Sequence, residues 1–313
     1  MKRKKAFFWG VAGSFFFAFT FVLNRSMHLS GGSWIWSASL RYLFTFPMLA
    51  LIVWRRHGFR SIHRVIGERP AAWLLWSTVG FGLFYAPLCF AGDYGESWLI
   101  AASWQITIVM GVLLTPLFHR RVPLRNLGAS AVILAGVFLL QAKHIRNLEG
   151  SAAALTMLPI LAAAVAYPLG NRKSMELAGG RVSTLERTYG MTLCSLPLWL
   201  LLSVLSAVNV GPPSAGQSAQ AFCVALFSGV IATLLFFKAT DAVKEDQRQL
   251  AVVESTQSGE VLFTLLGGTL FLGDPPPGLL GAAGIILIVA GMILNSMLSS
   301  PDESAAAAPM PED

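Results

Sequence analysis

Of the 313 residues, 55% are hydrophobic and only 12% are charged, and the mean hydropathy is +0.62. Soluble globular chains carry about a quarter charged residues, so this composition excludes an ordinary soluble domain and fits a polytopic membrane protein. The net charge of +7 does not point to nucleic acid, because the basic residues sit in short clusters between apolar runs rather than in a stripe on a soluble domain.

The first apolar run, about 6–28, follows Lys2-Arg3-Lys4-Lys5. It is too long for a signal-peptide core and is followed by Asn24-Arg25 rather than a small-residue cleavage site, so it reads as a retained span. Nine further runs follow at about 33–54, 71–91, 97–118, 123–142, 151–171, 184–206, 218–238, 249–272 and 278–297, each near the ~20 residues a bilayer requires. Pro47, Pro87, Pro116, Pro159, Pro168 and Pro197 fall inside runs and predict kinked helices. The acidic, Ala/Pro-rich stretch 299–313 lacks an apolar face and is expected to be a disordered cytoplasmic tail.

The positive-inside bias orients the chain. With the N-terminus inside, eighteen Lys and Arg lie in cytoplasmic connections or beside the N-terminus, against Lys143 and Arg146 outside. An even number of spans puts both termini in the cytoplasm, with the cell membrane as the expected location.

An internal repeat runs through the spans. Asn24-Arg25-Ser26-Met27 ends the first, and Asn171-Arg172-Lys173-Ser174-Met175 ends the sixth. Arg41 then Pro47 in the second answer to Arg187 then Pro197 in the seventh. QITIVMGVLL from Gln105 matches QSGEVLFTLL from Gln257, and the fifth and tenth share a glycine pattern. Five spans per half is odd, so the halves must be inverted. The expected fold is an all-α polytopic membrane protein of ten transmembrane helices in an inverted 5+5 repeat. Its units are 1–145 and 146–298, with solute handled near the midplane between them.

Polar side chains inside the spans are the candidate sites. Glu254, Gln257 and Glu260 fall within about one third of the circumference of one helix, and Val261 and Thr264 continue that face. Carboxylates inside a span face protein or water rather than lipid. Glu260 lies roughly 16 Å from the cytoplasmic edge, and Glu254 roughly 7 Å. Glu260 reads as a proton-binding or cation-contacting group, or else as a glutamate that only ties helices together. Gln105 and Gln257 are repeat-related and lie at similar depths from opposite faces, so their amides are expected to face each other's half. Trp104 beside Gln105 offers a surface for a flat or cationic solute. Arg41 reads either as a contact for a carboxylate or anionic solute or as a structural ion-pair partner.

The remaining features have plainer readings. Trp34, Trp36, Trp54, Trp73 and Trp98 sit at run ends as interfacial belt residues. Arg25 reads as an anchor, and Asp93 and Glu96 as a solvated turn. Gly128, Gly136, Gly281, Gly284 and Gly291 allow close packing between helices or between the protomers of a homodimer. Cys89, Cys194 and Cys223 lie in apolar runs without metal or disulfide spacing, and no histidine is at depth, so neither metal nor cofactor is expected.

Ser97-Trp98-Leu99 running into Ala102-Ser103-Trp104-Gln105-Ile106-Thr107-Ile108, together with AVVESTQSGEVLF from Ala251 to Phe263, resembles the drug/metabolite transporter superfamily. The similarity covers about 6–298 and is nearest the ten-span multidrug resistance efflux branch, related to EamA-like domains. Arg41-Tyr42 looks like the arginine such domains often carry. The resemblance implies a ten-helix carrier with alternating access to a central cavity. The small four-span relatives use a glutamate on their first helix, whereas the first span here holds no acid, so their proton-drug exchange does not transfer residue by residue.

The reading is therefore a secondary transporter, exporting a small organic solute across the lipid bilayer, with protons as the candidate coupling ion. A facilitative pore remains open. A membrane-embedded enzyme lacks any convergent motif such as HExxH or GxSxG, and no phosphate-binding GxxxxGK[ST] is present.

Overall fold

The computed structural model describes residues 2–118, 124–146, 150–243 and 247–298. The expected tail at 299–313 lies outside the described residues, as do His119, Arg120, Arg121, Lys244, Glu245 and Asp246 of the connections. The side chains of Lys2, Arg3, Arg125, Lys143, Arg146 and Arg248 also lie outside them.

Among the described residues there is no strand. The chain begins with α1 (Lys2–Leu29) and α2 (Trp34–Arg56). A short connection then forms α3 (Arg60–Glu68), which the apolar runs do not predict. It is amphipathic. Ile62 and Val65 are buried against the ends of α2 and its neighbours, while Arg60 and Arg64 stay exposed. Next come α4 (Pro70–Ala91), α5 (Ser97–Leu113), α6 (Leu124–Arg146), α7 (Gly150–Ala178) and α8 (Thr184–Asn209). The chain continues as α9 (Ala215–Asp241), α10 (247–272) and α11 (Leu279–Leu298).

Among the described residues, seven of these helices are long and apolar enough to cross a membrane. Of the other three expected spans, two are interrupted and one is continuous. Helix α5 is interrupted at Gln105, between Ser97–Trp104 and Ile106–Leu113. Helix α6 is continuous over Leu124–Arg146, with Asn126–Leu140 as its described apolar stretch. Helix α10 is split by a 3₁₀ turn at Thr256–Ser258. Two further helices widen into π turns, α4 at Thr78–Gly82 and α9 at Ala225–Ala232, and α10 ends in another at Gly268–Leu272. By contrast, α2, α7 and α8 run through Pro47, Pro159, Pro168 and Pro197 without a change of helix type.

Helix starts follow the sequence. Ser33 accepts from the Ile35 amide at the start of α2, and Ser214 accepts from Gln217 at the start of α9. Ser183 and Glu186 form a reciprocal capping box at α8, in which the Glu186 carboxylate accepts from the Ser183 amide at 2.8 Å. Each cap satisfies a donor that the first helical turn would otherwise leave free.

Packing is exchanged between distant parts of the chain: α1 lies against α9 and α10, α7 against α4 and α5, α2 against α8, and α6 against α11. Glycines set the closest approaches. A Cβ on Gly170 of α7 would meet the backbone of Gly80 in the α4 π turn. Gly136 of α6 and Gly284 of α11 face each other reciprocally, each placing a virtual Cβ 2.7 Å from the other's carbonyl oxygen. These glycines and Gly291 are used within one chain, while Gly128 has nothing within 4 Å. The tryptophans correct the belt expectation. Trp54 is exposed, but Trp73, Trp36 and Trp98 are buried, the last two donating to the Gly211 and Pro275 carbonyls.

Candidate functional site

The largest apolar cluster holds Tyr42 of α2, Tyr85 of α4, Trp104 of α5, Trp199 of α8 and Val261 of α10. Tyr42 stacks on Trp199 with centroids 4.5 Å apart and planes 6° apart. Phe84 lies 4.9 Å from Trp104 and 4.8 Å from Tyr167 of α7, and Trp104 meets Tyr167 edge-on at 5.7 Å. These aromatic walls come from both halves of the chain.

Arg41 sits among these rings. Its guanidinium carbon lies 4.0 Å from the Tyr85 ring centroid, a cation–π distance, and Nη2 donates to Ser228 Oγ at 3.2 Å. Ser228 belongs to the α9 π turn and exchanges a 2.6 Å hydrogen bond with Thr20 of α1. Tyr85 is held by Asn24 of α1 at 3.0 Å. Nη1 of Arg41 is buried and has no hydrogen-bond partner.

The α10 stripe faces protein on its inner side. Val261 and Thr264 are fully buried, whereas Leu262, Leu266, Leu270 and Phe271 on the other side are exposed, as lipid-facing positions require. Glu254, Gln257 and Glu260 are half-buried, and the Glu260 backbone carbonyl accepts from Thr264 Oγ1 at 2.7 Å. Glu260 lies within electrostatic reach of both Arg41 and Tyr167, yet no ion pair closes between Glu260 and Arg41.

Gln105 occupies the interruption in α5. Its amide and the Ile108 amide make short i→i−3 contacts at 3.2 and 3.1 Å, and its side chain folds back to Ala101 O at 3.0 Å. The corresponding interruption in α10 is saturated by hydroxyls. Ser255, Thr256 and Ser258 donate to the Val252, Val253 and Ser255 carbonyls at 2.8, 2.6 and 2.7 Å. From α1, Ser14 donates to Thr256 O at 2.7 Å. Gly10 makes room for this contact, since a Cβ there would lie 2.5 Å from Thr256 Oγ1. Thus Arg41, Glu260 and Trp104 share one aromatic-walled region, while the Gln105 amide is spent on its own helix.

A second cluster closes one end of the bundle and was missed by sequence reasoning. Gly273 takes φ +68°, a conformation glycine adopts freely, and delivers Asp274 into the protein. The Asp274 carboxylate, 3% exposed, accepts from the Ser97 amide at 3.0 Å and the Ser97 hydroxyl at 2.6 Å. It thereby caps α5 from another part of the chain, with Arg25 Nε 3.8 Å away. Arg25 also donates to Gly92 O at 3.3 Å, so it joins connections rather than merely anchoring a helix end. The Asp93 turn is not simply solvated either. His28 pairs with Asp93 at 2.9 Å, and burial holds the Asp93 carboxyl above its ordinary range against the opposing pull of His28 and Arg25. Glu96 Oε2 is buried without a partner. At the same end Gln217 donates to Ser33 O at 2.7 Å. The one available signal for Asp274 was a lone acid in the connection GDPPPG.

Membrane-length helices with exposed apolar faces around a polar, aromatic interior mark a multi-pass membrane protein. The chain belongs to the EmrE family, described as "Putative multidrug resistance efflux transporter", whose model matches residues 4–301. It is 49% identical over 310 residues to "Uncharacterized protein YjlA" of Bacillus subtilis (strain 168), covering 95% of this chain and 96% of the relative. It is 45% identical over 278 residues to "Uncharacterized 42.1 kDa protein in intracellular alkaline protease 3'region" of Shouchella clausii, covering 85% of this chain and 73% of that one. One solved crystal structure shares the fold with a TM-score of 0.62 at 16% identity, covering 95% of this chain and 98% of the other.

Proposed function

We propose that the chain is a secondary transporter that exports a small organic solute across the cell membrane by alternating access. Both termini are cytoplasmic, and ten spans form an inverted repeat of 1–145 and 146–298. The observation that carries this reading is the paired occurrence of helix irregularities about 150 residues apart. Interruptions fall at Gln105 and at Thr256–Ser258, and π turns contain Gly80 and Gly229. Packing of α1 on α9 and α10, answered by α7 on α4 and α5, supports the same two-fold relation. Inverted repeats of this kind bind solute between the halves and move one half against the other.

Glu260 is the coupling carboxylate in this reading, with Arg41, Trp104 and Gln257 beside the solute. Gln105 shapes the break in α5, and Glu254 stands nearer the cytoplasmic mouth. Coupling by protons requires a carboxyl group at depth, and the half-buried position of Glu260 in α10 supports this assignment.

A ligand identified by thermal stabilisation of the purified protein serves as the probe in proteoliposomes. Glu260→Gln is expected to reduce pH-gradient-driven accumulation to the level of protein-free liposomes while counterflow exchange persists. Unchanged gradient-driven accumulation removes Glu260 from coupling, and absence of trans-stimulation in the wild type replaces the carrier with a pore. Cysteines placed at Gly58 and His144 should be labelled from opposite sides of the membrane; labelling from one side refutes the inverted topology.

A further inference from the structure

We propose that the connection around α3 is a docking surface for anionic phospholipid. Arg60 and Arg64 hold the headgroup phosphate, and Arg55, Arg56 and Arg69 flank it. This needs only that the chain spans a membrane, so it stands apart from the transport reading.

The segment from Arg55 to Arg69 holds five arginines and one acid, Glu68. Glu68 is already taken, because Arg181 donates to both its oxygens at 2.8 Å. All five arginines are exposed, and their guanidinium groups make no hydrogen bond or ion pair among the described residues. Like charges so crowded repel one another, and an anionic surface relieves that repulsion. Arg60 and Arg64 stand one turn apart on the same face of α3, with about 5–6 Å between Cβ atoms, close enough for two guanidinium forks to share one phosphodiester.

Two further observations fix the level and the rigidity of this face. Trp54, 62% exposed, directly precedes the arginines, and Leu51 one turn earlier is also exposed. An exposed indole at the end of an apolar helix marks the water–lipid boundary, so Arg55 and the residues after it lie in the headgroup layer. Helix α3 does not swing free there. Ile62 and Val65 fill a core cluster, and Ile62 sits against Gly190 of α8, where a Cβ would lie 2.9 Å from its Cδ1. Phe59 stacks on Tyr189 with centroids 5.3 Å apart, and His63 shares a 3.1 Å hydrogen bond with the Tyr189 hydroxyl. The arginine face is therefore ordered before any ligand arrives, and its placement at the lipid boundary favours a headgroup over a soluble polyanion.

In the test, full-length protein in a neutral detergent is titrated with dioleoylphosphatidylglycerol or dioleoylphosphatidylcholine. Bound lipid is counted by native mass spectrometry, and thermal unfolding is followed in parallel. Phosphatidylglycerol is expected to bind at least about tenfold more tightly than phosphatidylcholine and to raise the Tm. At roughly fivefold per arginine, Arg60→Gln combined with Arg64→Gln should weaken phosphatidylglycerol on the order of twentyfold and remove the Tm rise. Phosphatidylcholine should stay within about twofold of its wild-type affinity. Lys173→Gln removes a charge already paired with Glu176 and should leave both lipids unchanged. Should the Gln pair fail to fold, Arg60→Lys combined with Arg64→Lys keeps the charge but loses the fork geometry and should still weaken phosphatidylglycerol about threefold or more. Equal affinity for the two lipids, or a Gln pair that binds phosphatidylglycerol as wild type does, overturns the proposal. Polyglutamate bound through Arg60 and Arg64 by a protein indifferent to phosphatidylglycerol overturns it in favour of a soluble acidic partner.

Discussion

Replacing Asp274 with alanine tests the seal at the loop end of the bundle. The carboxylate accepts two hydrogen bonds from Ser97, at 3.0 and 2.6 Å, and lies 3.8 Å from Arg25 Nε. Hydrogen bonds to a charged group contribute about 1.5–3 kcal/mol each, and removing one partner of a buried charged set costs about 3–5 kcal/mol. Asp274→Ala is therefore expected to destabilise the protein by about 3–5 kcal/mol. Asp274→Asn keeps an oxygen for one Ser97 donor and should lose about half as much. Because Arg25 stands 3.8 Å away, the coupling between Asp274→Asn and Arg25→Met should stay below about 1 kcal/mol. Equilibrium unfolding in mixed micelles reads all three values. An Asp274→Ala protein within about 1 kcal/mol of wild type would refute the assignment of this carboxylate as the cap of α5.

The other stability predictions concern close approach and the α10 interruption. Gly170→Ala places a Cβ against the Gly80 backbone and should lower stability by about 1–3 kcal/mol or prevent folding, whereas Gly128→Ala, with open space around it, should be neutral or slightly stabilising; thermal unfolding of the pair provides the check. Ser14→Ala removes the bond to Thr256 O and should cost about 1 kcal/mol. Amide exchange around 256–260 should accelerate with it, and unchanged protection there would show that α1 does not support the interruption.

The long elements were legible because apolar length and basic flanks are strong signals. The ten runs correspond closely to the helical segments, and the inward face of α10 was correctly marked by Val261 and Thr264. The short helix α3 escaped because Arg60–Glu68 is too polar for a span, and its amphipathic period is written in only nine residues. Tyr85 and Ser228 escaped because a tyrosine or serine in a span has no periodic signature; their importance comes from Arg41 arriving from a distant helix. Trp73 and Trp98 were misplaced because a run end reads as an interface, whereas α3 and the 273–278 connection cover those positions. Gln105 and Gln257 both fall at helix interruptions, but their match in the sequence carried no sign of a break. It could not reveal that one would be stabilised by its own amide and the other by hydroxyls.

A joint inside hydrocarbon faces a difficulty unknown to a loop in water, since no solvent stands ready to receive a carbonyl set loose by bending. Ser255, Thr256 and Ser258 carry replacement donors at the bend itself, and Ser14 brings one from the neighbouring helix. These hydroxyls keep the carbonyls around the 3₁₀ turn paired within the protein, and stripping them one by one should destabilise the segment stepwise.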